Sequence, residues 1–124
     1  MANDWEICDT HRRLPSALWD FMREQRMFGM IIPEAYGGLE FSAQAHSAVV
    51  MKLASRNLTS AITVMVPNAL GPGELLLHYG TEEQKERYLK PYVSGSLISA
   101  EGLTEPRGGS DFFGATTKAV LKDG

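Results

Sequence analysis

Thr81-Glu82-Glu83-Gln84 is the stretch of sequence that most strongly decides local structure. A threonine followed three residues later by glutamine is typical of a capping box. The threonine hydroxyl accepts a hydrogen bond from the third helical amide, and the glutamine side chain reaches back to the threonine amide. The sequence therefore predicts a helix that begins at Thr81. Tyr88, Leu89 and Tyr92 mark its buried side, and Gly95 follows its end.

Further helices are predicted on the N-terminal side of Thr81. Apolar residues recur at helical spacing over residues 14–29, with charged residues on the opposite side. Ser42 offers a side-chain oxygen to the free amides of a second helix. A mostly apolar helix is predicted over 60–68, and Pro72 starts another helix that Gly80 ends.

Two features interrupt this helical pattern. Residues 30–38 form a short apolar run broken by proline and a Gly-Gly pair, which predicts a turn-rich connection. Pro67 lies inside the third helical segment, where it removes a backbone donor and crowds the preceding turn. We therefore expect a kink or a break at Pro67.

The pattern changes after Gly95. Residues 96–103 are predicted to form a buried strand, a glycine-rich loop follows over 106–114, and the alternation over 116–121 indicates a second strand. Two strands alone form no stable sheet, so we expect the chain to be a truncated piece of a longer protein. The expected fold is mainly α, with a helical domain over 1–95 and an incomplete β-domain over 96–124.

Composition excludes several classes of protein. The chain has 124 residues and a formal net charge of -3, and its basic residues are scattered, which disfavours nucleic acid as a partner. The single cysteine, Cys8, excludes an internal disulfide and a cysteine-based zinc site. No apolar run is long enough to predict a transmembrane segment, and no secretory signal precedes the helices. We therefore expect a cytoplasmic location.

One loop has the composition of a ligand-binding segment. Residues 104–111 read Thr-Glu-Pro-Arg-Gly-Gly-Ser-Asp and follow directly on the first predicted strand. Glycines let a backbone approach a ligand closely, and successive amides can bind electron-rich groups. An ordinary surface turn explains the same composition. The three histidines have no ligand-like spacing, so no catalytic constellation emerges from spacing alone.

Four collinear segments resemble the acyl-CoA dehydrogenase family. They read Phe-Gly-Met-Ile-Ile-Pro-Glu-Ala-Tyr-Gly-Gly at 28–38, Pro-Asn-Ala-Leu-Gly at 67–71, Tyr-Gly-Thr-Glu-Glu-Gln-Lys at 79–85, and Leu-Thr-Glu-Pro at 103–106 with Gly-Ser-Asp at 109–111. Residues 38–43 and 70–76 look most similar to the bacterial long-chain branch. The resemblance covers nearly the whole chain from Trp5.

The resemblance implies an oxidoreductase that acts on CH–CH groups. Family members carry FAD and have an N-terminal helical domain, a middle β-domain and a C-terminal helical bundle. They convert a fatty acyl-CoA to a trans-2-enoyl-CoA in β-oxidation. The implied catalytic base is a glutamate of the C-terminal part, so a fragment that ends at Gly124 is expected to be inactive alone.

The resemblance also assigns binding residues. It places Glu101, Leu103, Thr104, Gly109 and Ser110 at the flavin, with Ser110 also facing the acyl-CoA. A flavin ring needs fixed hydrogen-bond donors to stabilise its reduced form, which agrees with this assignment.

Val66 and Leu70 correspond to positions near the far end of the acyl pocket. Two positions depart from the family pattern, since Gly108 stands in place of the usual alanine and Glu101 in place of a neutral residue. A carboxylate that faced the flavin would oppose its reduction. We therefore assign Glu101 a backbone contact only.

The implied partners are a fatty acyl-CoA substrate and an electron-transferring flavoprotein or a similar acceptor. The full-length form is expected to be a homo-oligomer. Two other functions stay open: a stand-alone helical interaction module that uses its exposed apolar faces, and a flavin oxidase or monooxygenase on the same scaffold.

Overall fold

The computed structural model describes residues 4–69, 71–100 and 102–122. Helices dominate, which confirms the mainly α fold class. The α-helices are α1 (Ser16–Glu24), α2 (Ala43–Ala54), α3 (Leu58–Ala69), α4 (Pro72–Tyr79), α5 (Glu82–Gln84) and α6 (Lys90–Val93). Two π-helices cover Glu6–His11 and Lys85–Leu89, and short 3-10 turns cover Met27–Gly29, Glu34–Tyr36 and Phe112–Gly114. The π-helix at Lys85–Leu89 joins α5 to α6 without a break.

The helix starts predicted at Thr81, Ser42 and Pro72 are confirmed, whereas α3 begins at Leu58 and α1 ends at Glu24, short of the predicted residue 29. Thr81 Oγ1 accepts from the Gln84 amide at 3.2 Å, and the Gln84 side chain accepts from the Thr81 amide at 2.9 Å. These two bonds form the complete capping box. Ser42 caps α2 by accepting from the Ala45 amide at 3.2 Å. Pro72 opens α4 and Gly80 follows its last residue.

Of the kink or break expected at Pro67, the break is wrong, and the kink stays a prediction. α3 runs through Pro67 and ends two residues later, at Ala69. Proline removes only one helical bond when it lies in the last turn. Nearby polar groups also bond to backbone in this turn: Tyr92 Oη donates to the Pro67 carbonyl at 2.6 Å, and Asn68 Nδ2 donates to the Val64 carbonyl at 2.7 Å.

The turn-rich connection between α1 and α2 is confirmed, and it folds back on itself. The Leu39 amide donates to the Gly29 carbonyl at 3.0 Å, and the Phe41 amide donates to the Met30 carbonyl at 2.7 Å. A Cβ on Gly38 would lie 1.9 Å from the Ile32 carbonyl oxygen. Only glycine at position 38 therefore permits the two sides of the turn to approach this closely.

Two apolar clusters hold the helices together. The larger one joins the N-terminal π-helix, α1, the turn and α3; its buried members are Ile7, Leu14, Met22, Phe28, Met30 and Val64. The smaller one joins the turn to the last helical segment through Ile32, Leu89, Tyr92 and Val93. Burial of these side chains is the main stabilising term of the helical part.

The strands predicted over 96–103 and 116–121 are wrong for the described residues. No strand forms over 96–100 or 102–122, where the only ladder contact described is an isolated antiparallel bridge between Glu105 and Gly108. A strand is stable only when its amides and carbonyls pair with a neighbour, and the described ranges supply no neighbour. The division of the chain at residue 95 stays a prediction.

Candidate functional site

Val66 lines an apolar cavity at the junction of the helices with the segment that follows α6. The cavity has a volume of about 210 Å³. α1, α3 and α6 contribute to its wall, which includes Trp19, Phe28, Ile62, Val66, Pro67, Tyr92, Leu97 and Ile98. The side chains at 97 and 98 come from the predicted first strand. The cavity therefore joins the helical part to the beginning of the predicted β-domain.

Asn68 fixes the end of α3 that carries Val66. Its side-chain oxygen accepts from the Ile31 amide at 3.3 Å, and its amide nitrogen donates to the Met27 and Val64 carbonyls, each at 2.7 Å. Asn68 is buried, so these bonds replace hydrogen bonds that water would otherwise make. Together with the Tyr92 bond to Pro67, they set the position of one cavity wall.

The glycine-rich loop is ordered by its own polar groups. The amides and carbonyls of Glu105 and Gly108 bond to each other at 3.2 and 3.0 Å. Arg107 Nη1 donates to the Gly114 carbonyl at 2.7 Å, and Nη2 donates to Asp111 at 3.3 Å. Asp111 in turn accepts from the Gly114 amide at 3.1 Å. These bonds close the loop without help from an apolar core.

The Glu105 carboxylate joins the loop to the residues that follow it. It accepts from the backbone amides of Thr116 and Thr117, both at 2.9 Å, and from the Thr116 hydroxyl at 3.2 Å. Hydrogen bonds to the charged form favour ionisation, and they lower the pKa of Glu105 from its ordinary value of 4.5 to about 2.

The four predicted flavin contacts within the described residues are exposed. Leu103, Thr104, Gly109 and Ser110 all face solvent. A Cβ on Gly109 would lie 2.8 Å from Thr104 Oγ1, so the backbone at 109 passes close to that side chain. The predicted sites Glu101 and Leu70 lie outside the described residues.

Among the described residues, the predicted flavin contacts and Val66 do not line one pocket. The wall around Val66 contains none of the four described flavin candidates. Spacing also missed the aromatic part of that wall, Trp19, Phe28 and Tyr92, because the helical pattern marks such residues only as core. No local sequence signal connects them to Val66, which they meet through the packing of α1, α3, α6 and the Met27–Gly29 turn.

The three histidines all lie within the described residues. The residues that the structure describes contain no group of three potential ligands placed to hold a metal ion. His46 is buried on α2, and desolvation lowers its pKa from 6.5. None of the helices in the described ranges is both long and apolar enough to cross a bilayer.

The sequence-family model for the acyl-CoA dehydrogenase N-terminal domain matches residues 1–96 of this chain. The chain belongs to the acyl-CoA dehydrogenase family. The family match covers all the helices from the N-terminal π-helix to α6 and ends just before Leu97. Placement in the long-chain branch of the family stays a prediction.

Relatives within the acyl-CoA dehydrogenase family have varied activities in their names. The chain is 38% identical over 106 residues to the caffeyl-CoA reductase-Etf complex subunit CarC of Acetobacterium woodii, covering 86% of this chain and 28% of that protein. It is 33% identical to the 3-(aryl)acrylate reductase of Clostridium sporogenes over 90% of this chain and 29% of the relative.

A plant relative is as similar to this chain as the Clostridium sporogenes protein. The mitochondrial isovaleryl-CoA dehydrogenase of Arabidopsis thaliana is 33% identical over 107 residues, which cover 86% of this chain and 26% of that protein. The chain thus spans less than a third of each of these relatives. The names of these relatives thus include both reductases and a dehydrogenase.

Proposed function

We propose that this chain is the N-terminal portion of an FAD-dependent acyl-CoA dehydrogenase. In the proposed reaction an acyl-CoA loses an α-proton and a β-hydride and becomes a trans-2-enoyl-CoA, as in fatty-acid β-oxidation. The observation that carries the proposal is the match of residues 1–96 to the N-terminal domain of this family. The apolar cavity beside Val66 is compatible with an apolar substrate tail.

The chemistry of residues 103–110 fits a flavin ring. Thr104 and Ser110 present exposed hydroxyls that can donate hydrogen bonds, and Gly109 lets the backbone pass close to the Thr104 side chain, where a Cβ would lie 2.8 Å from Oγ1. When bound, FAD supplies the acceptor of the hydride. Leu103 and Thr104 would hold its ring, while Ser110 would lie between ring and substrate, and Glu101 would contribute backbone.

Val66 and Leu70 are proposed to contact the far end of the acyl chain. Val66 lies half-buried in the cavity wall, where Asn68 and Tyr92 keep the end of α3 in place. An apolar wall excludes water from the substrate tail, and its size limits the tail length. The α-proton acceptor is proposed to be a carboxylate outside these 124 residues, so the chain alone is expected to be inactive.

The proposed electron acceptor is an electron-transferring flavoprotein. One relative carries an Etf complex in its name, which supports this class of partner. We further propose a long-chain fatty acyl-CoA as substrate, a cytoplasmic location, a division of the chain into 1–95 and 96–124, and a homo-oligomeric full-length form.

Product analysis of the full-length protein tests the proposal. Incubation with a fatty acyl-CoA and an artificial electron acceptor is expected to reduce the acceptor and to yield an equivalent amount of enoyl-CoA. Stoichiometric peroxide in the absence of the acceptor would identify an oxidase, and a hydroxylated product would identify a monooxygenase. Either result would overturn the dehydrogenase proposal.

A substitution in the cavity wall tests the acyl contact separately. Val66→Phe is expected to shorten the preferred acyl chain, seen as a larger loss of kcat/KM for long than for short acyl-CoA substrates. Met51→Phe, at an exposed position of α2, is the matched control and should leave the preference unchanged. Equal losses of kcat/KM for all acyl chain lengths would show that Val66 does not contact the acyl chain.

A further inference from the structure

A second cavity in the helical part is lined by three cationic side chains. It has a volume of about 370 Å³ and lies between the end of α1, the Glu34–Tyr36 turn and α6. Arg23, Arg26 and Lys90 line it together with Tyr36 and Ser94. Within the described residues no carboxylate lines this cavity, although the whole chain carries a net charge of -3. Three basic side chains therefore meet at this site, although the basic residues are scattered along the sequence.

Arg26 holds its place there in an unfavourable backbone conformation. Its φ of 53° and ψ of 33° lie in the left-handed region, directly after the Gln25 cap of α1. Glycine is the common residue at this position of a helix end, because a Cβ is strained there. Strain at a non-glycine residue persists only where the surrounding structure enforces it, and it is concentrated at functional sites.

The three cations differ in how far neighbouring groups neutralise them. Lys90 Nζ lies 2.6 Å from a Glu86 carboxylate oxygen, and Arg23 Nη1 lies 3.5 Å from Asp20. Arg23 also donates from Nε to the Gly95 carbonyl at 3.2 Å. Arg26 has no ion pair or hydrogen bond to another side chain in the described part of the chain.

The Tyr36 hydroxyl completes the donor set of the cavity. Tyr36 Oη donates to Glu82 at 3.4 Å, a weak bond that a stronger acceptor can replace, whereas Ser94 Oγ already donates to the Pro91 carbonyl at 3.0 Å. Guanidinium groups bind phosphate through two parallel hydrogen bonds, and an ammonium group adds a point charge. The donors therefore match a compact polyanion with several acceptor oxygens.

We propose that this cavity binds a phosphate group, with Arg26 as its principal contact. The phosphate belongs either to an inorganic phosphate or to the end of an organic phosphate such as a nucleotide. This site is distinct from the proposed flavin loop over 103–110 and from the cavity beside Val66, with which it shares no lining residue. It does not depend on the proposed dehydrogenase reaction.

Calorimetric titration of the purified protein with pyrophosphate tests the site, and Arg26→Gly is the decisive variant. Glycine adopts the left-handed backbone without strain, so the variant should fold at least as well as the wild type. Loss of a charge-assisted bond is expected to weaken pyrophosphate binding by about tenfold or more. Arg12→Gly is the matched control, because Arg12 is also left-handed at φ 50° but does not line this cavity.

Each outcome decides the proposal. Saturable binding by the wild type and by Arg12→Gly, with weaker binding by Arg26→Gly, supports the site. Absence of binding by the wild type, or equal weakening in both variants, overturns it. A parallel titration with ADP separates the two sources: tighter binding of ADP assigns the cavity to an organic phosphate, and equal or weaker binding assigns it to an inorganic one.

Discussion

The helical part of the chain and the loop that follows it are stabilised in different ways. Residues 4–100 bury two apolar clusters, whereas residues 102–122 contain no fully buried side chain and are ordered by hydrogen bonds among exposed groups. Apolar burial contributes to the cooperative unfolding of a domain, while exposed hydrogen bonds contribute little to its free energy. The helices should therefore govern global stability, and the loop should change conformation locally.

The largest effect is expected from a cavity in the smaller apolar cluster. Leu89 is fully buried, so Leu89→Ala should lower the free energy of unfolding by about 3 kcal/mol. Urea unfolding followed by circular dichroism measures the change. Leu121→Ala is the control in the loop region, where the side chain is 99% exposed and no measurable change is expected. Equal losses in both variants would contradict the contrast between the two regions.

A polar group inside the helical part should come next. Asn68→Leu keeps the approximate volume of the side chain but leaves the Ile31 amide and the Met27 carbonyl without their side-chain partner. We expect a loss of about 2 kcal/mol, because buried backbone groups without partners are costly. Gln44→Leu, at an exposed position of α2, is the control in the same unfolding assay. A neutral Asn68→Leu would show that packing alone fixes the end of α3.

The pH dependence of the helical part should come from His46. Its pKa in the folded chain is below 6.5 because burial disfavours the charged imidazole, so the unfolded chain binds the proton first as pH falls. Stability is therefore highest above 6.5 and decreases as pH falls below this value. His46→Gln should reduce the slope of unfolding free energy against pH, whereas His11→Gln, at an exposed position, should retain it. An unchanged slope in His46→Gln would refute this assignment.

The smallest effect on global stability is expected in the loop, at a different pH. Glu105 ionises with a pKa of about 2, so its bonds to Thr116 and Thr117 persist below the ordinary carboxyl pKa of 4.5 and are lost only as pH approaches 2. NMR should show the two threonine amide resonances shifting in that lower range. Glu105→Gln should shift them at neutral pH, and Glu83→Gln on α5 should not. A transition near 4.5 would mean that the bonds do not form.

Local sequence rules predicted most of the helical part. The capping box at Thr81 and the cap at Ser42 depend on residues within one turn, so spacing alone reveals them. The course of α3 through Pro67 has no local signal, since the bond from Tyr92 to the Pro67 carbonyl joins residues 25 apart in sequence. The strand predictions failed for a related reason: residue alternation indicates a tendency, but pairing requires a neighbouring strand.

The candidate site was less predictable than the fold. The composition of residues 104–111 indicated a ligand-binding loop. The hydrogen bonds from the Thr116 and Thr117 amides to the Glu105 carboxylate have no local signal in the sequence. The wall around Val66 is assembled from α1, α3, α6 and the segment after them. Only the packed structure brings such side chains together. The helical spacing of the sequence predicts that they are buried, but not that they line the same cavity.

The π-helix at Lys85–Leu89 lets the last helical segment tolerate a single-residue deletion that a regular α-helix does not. A π-turn contains more residues than an α-turn, so a single-residue deletion there can leave a continuous α-helix. Each residue of an α-helix turns the chain by about 100°, so a deletion elsewhere in the segment, within a regular α-turn, would rotate everything after it by that angle. Tyr92 would then point away from Pro67, and Lys90 would leave the cationic cavity. The helical register of this one segment thus couples two cavities that share no side chain.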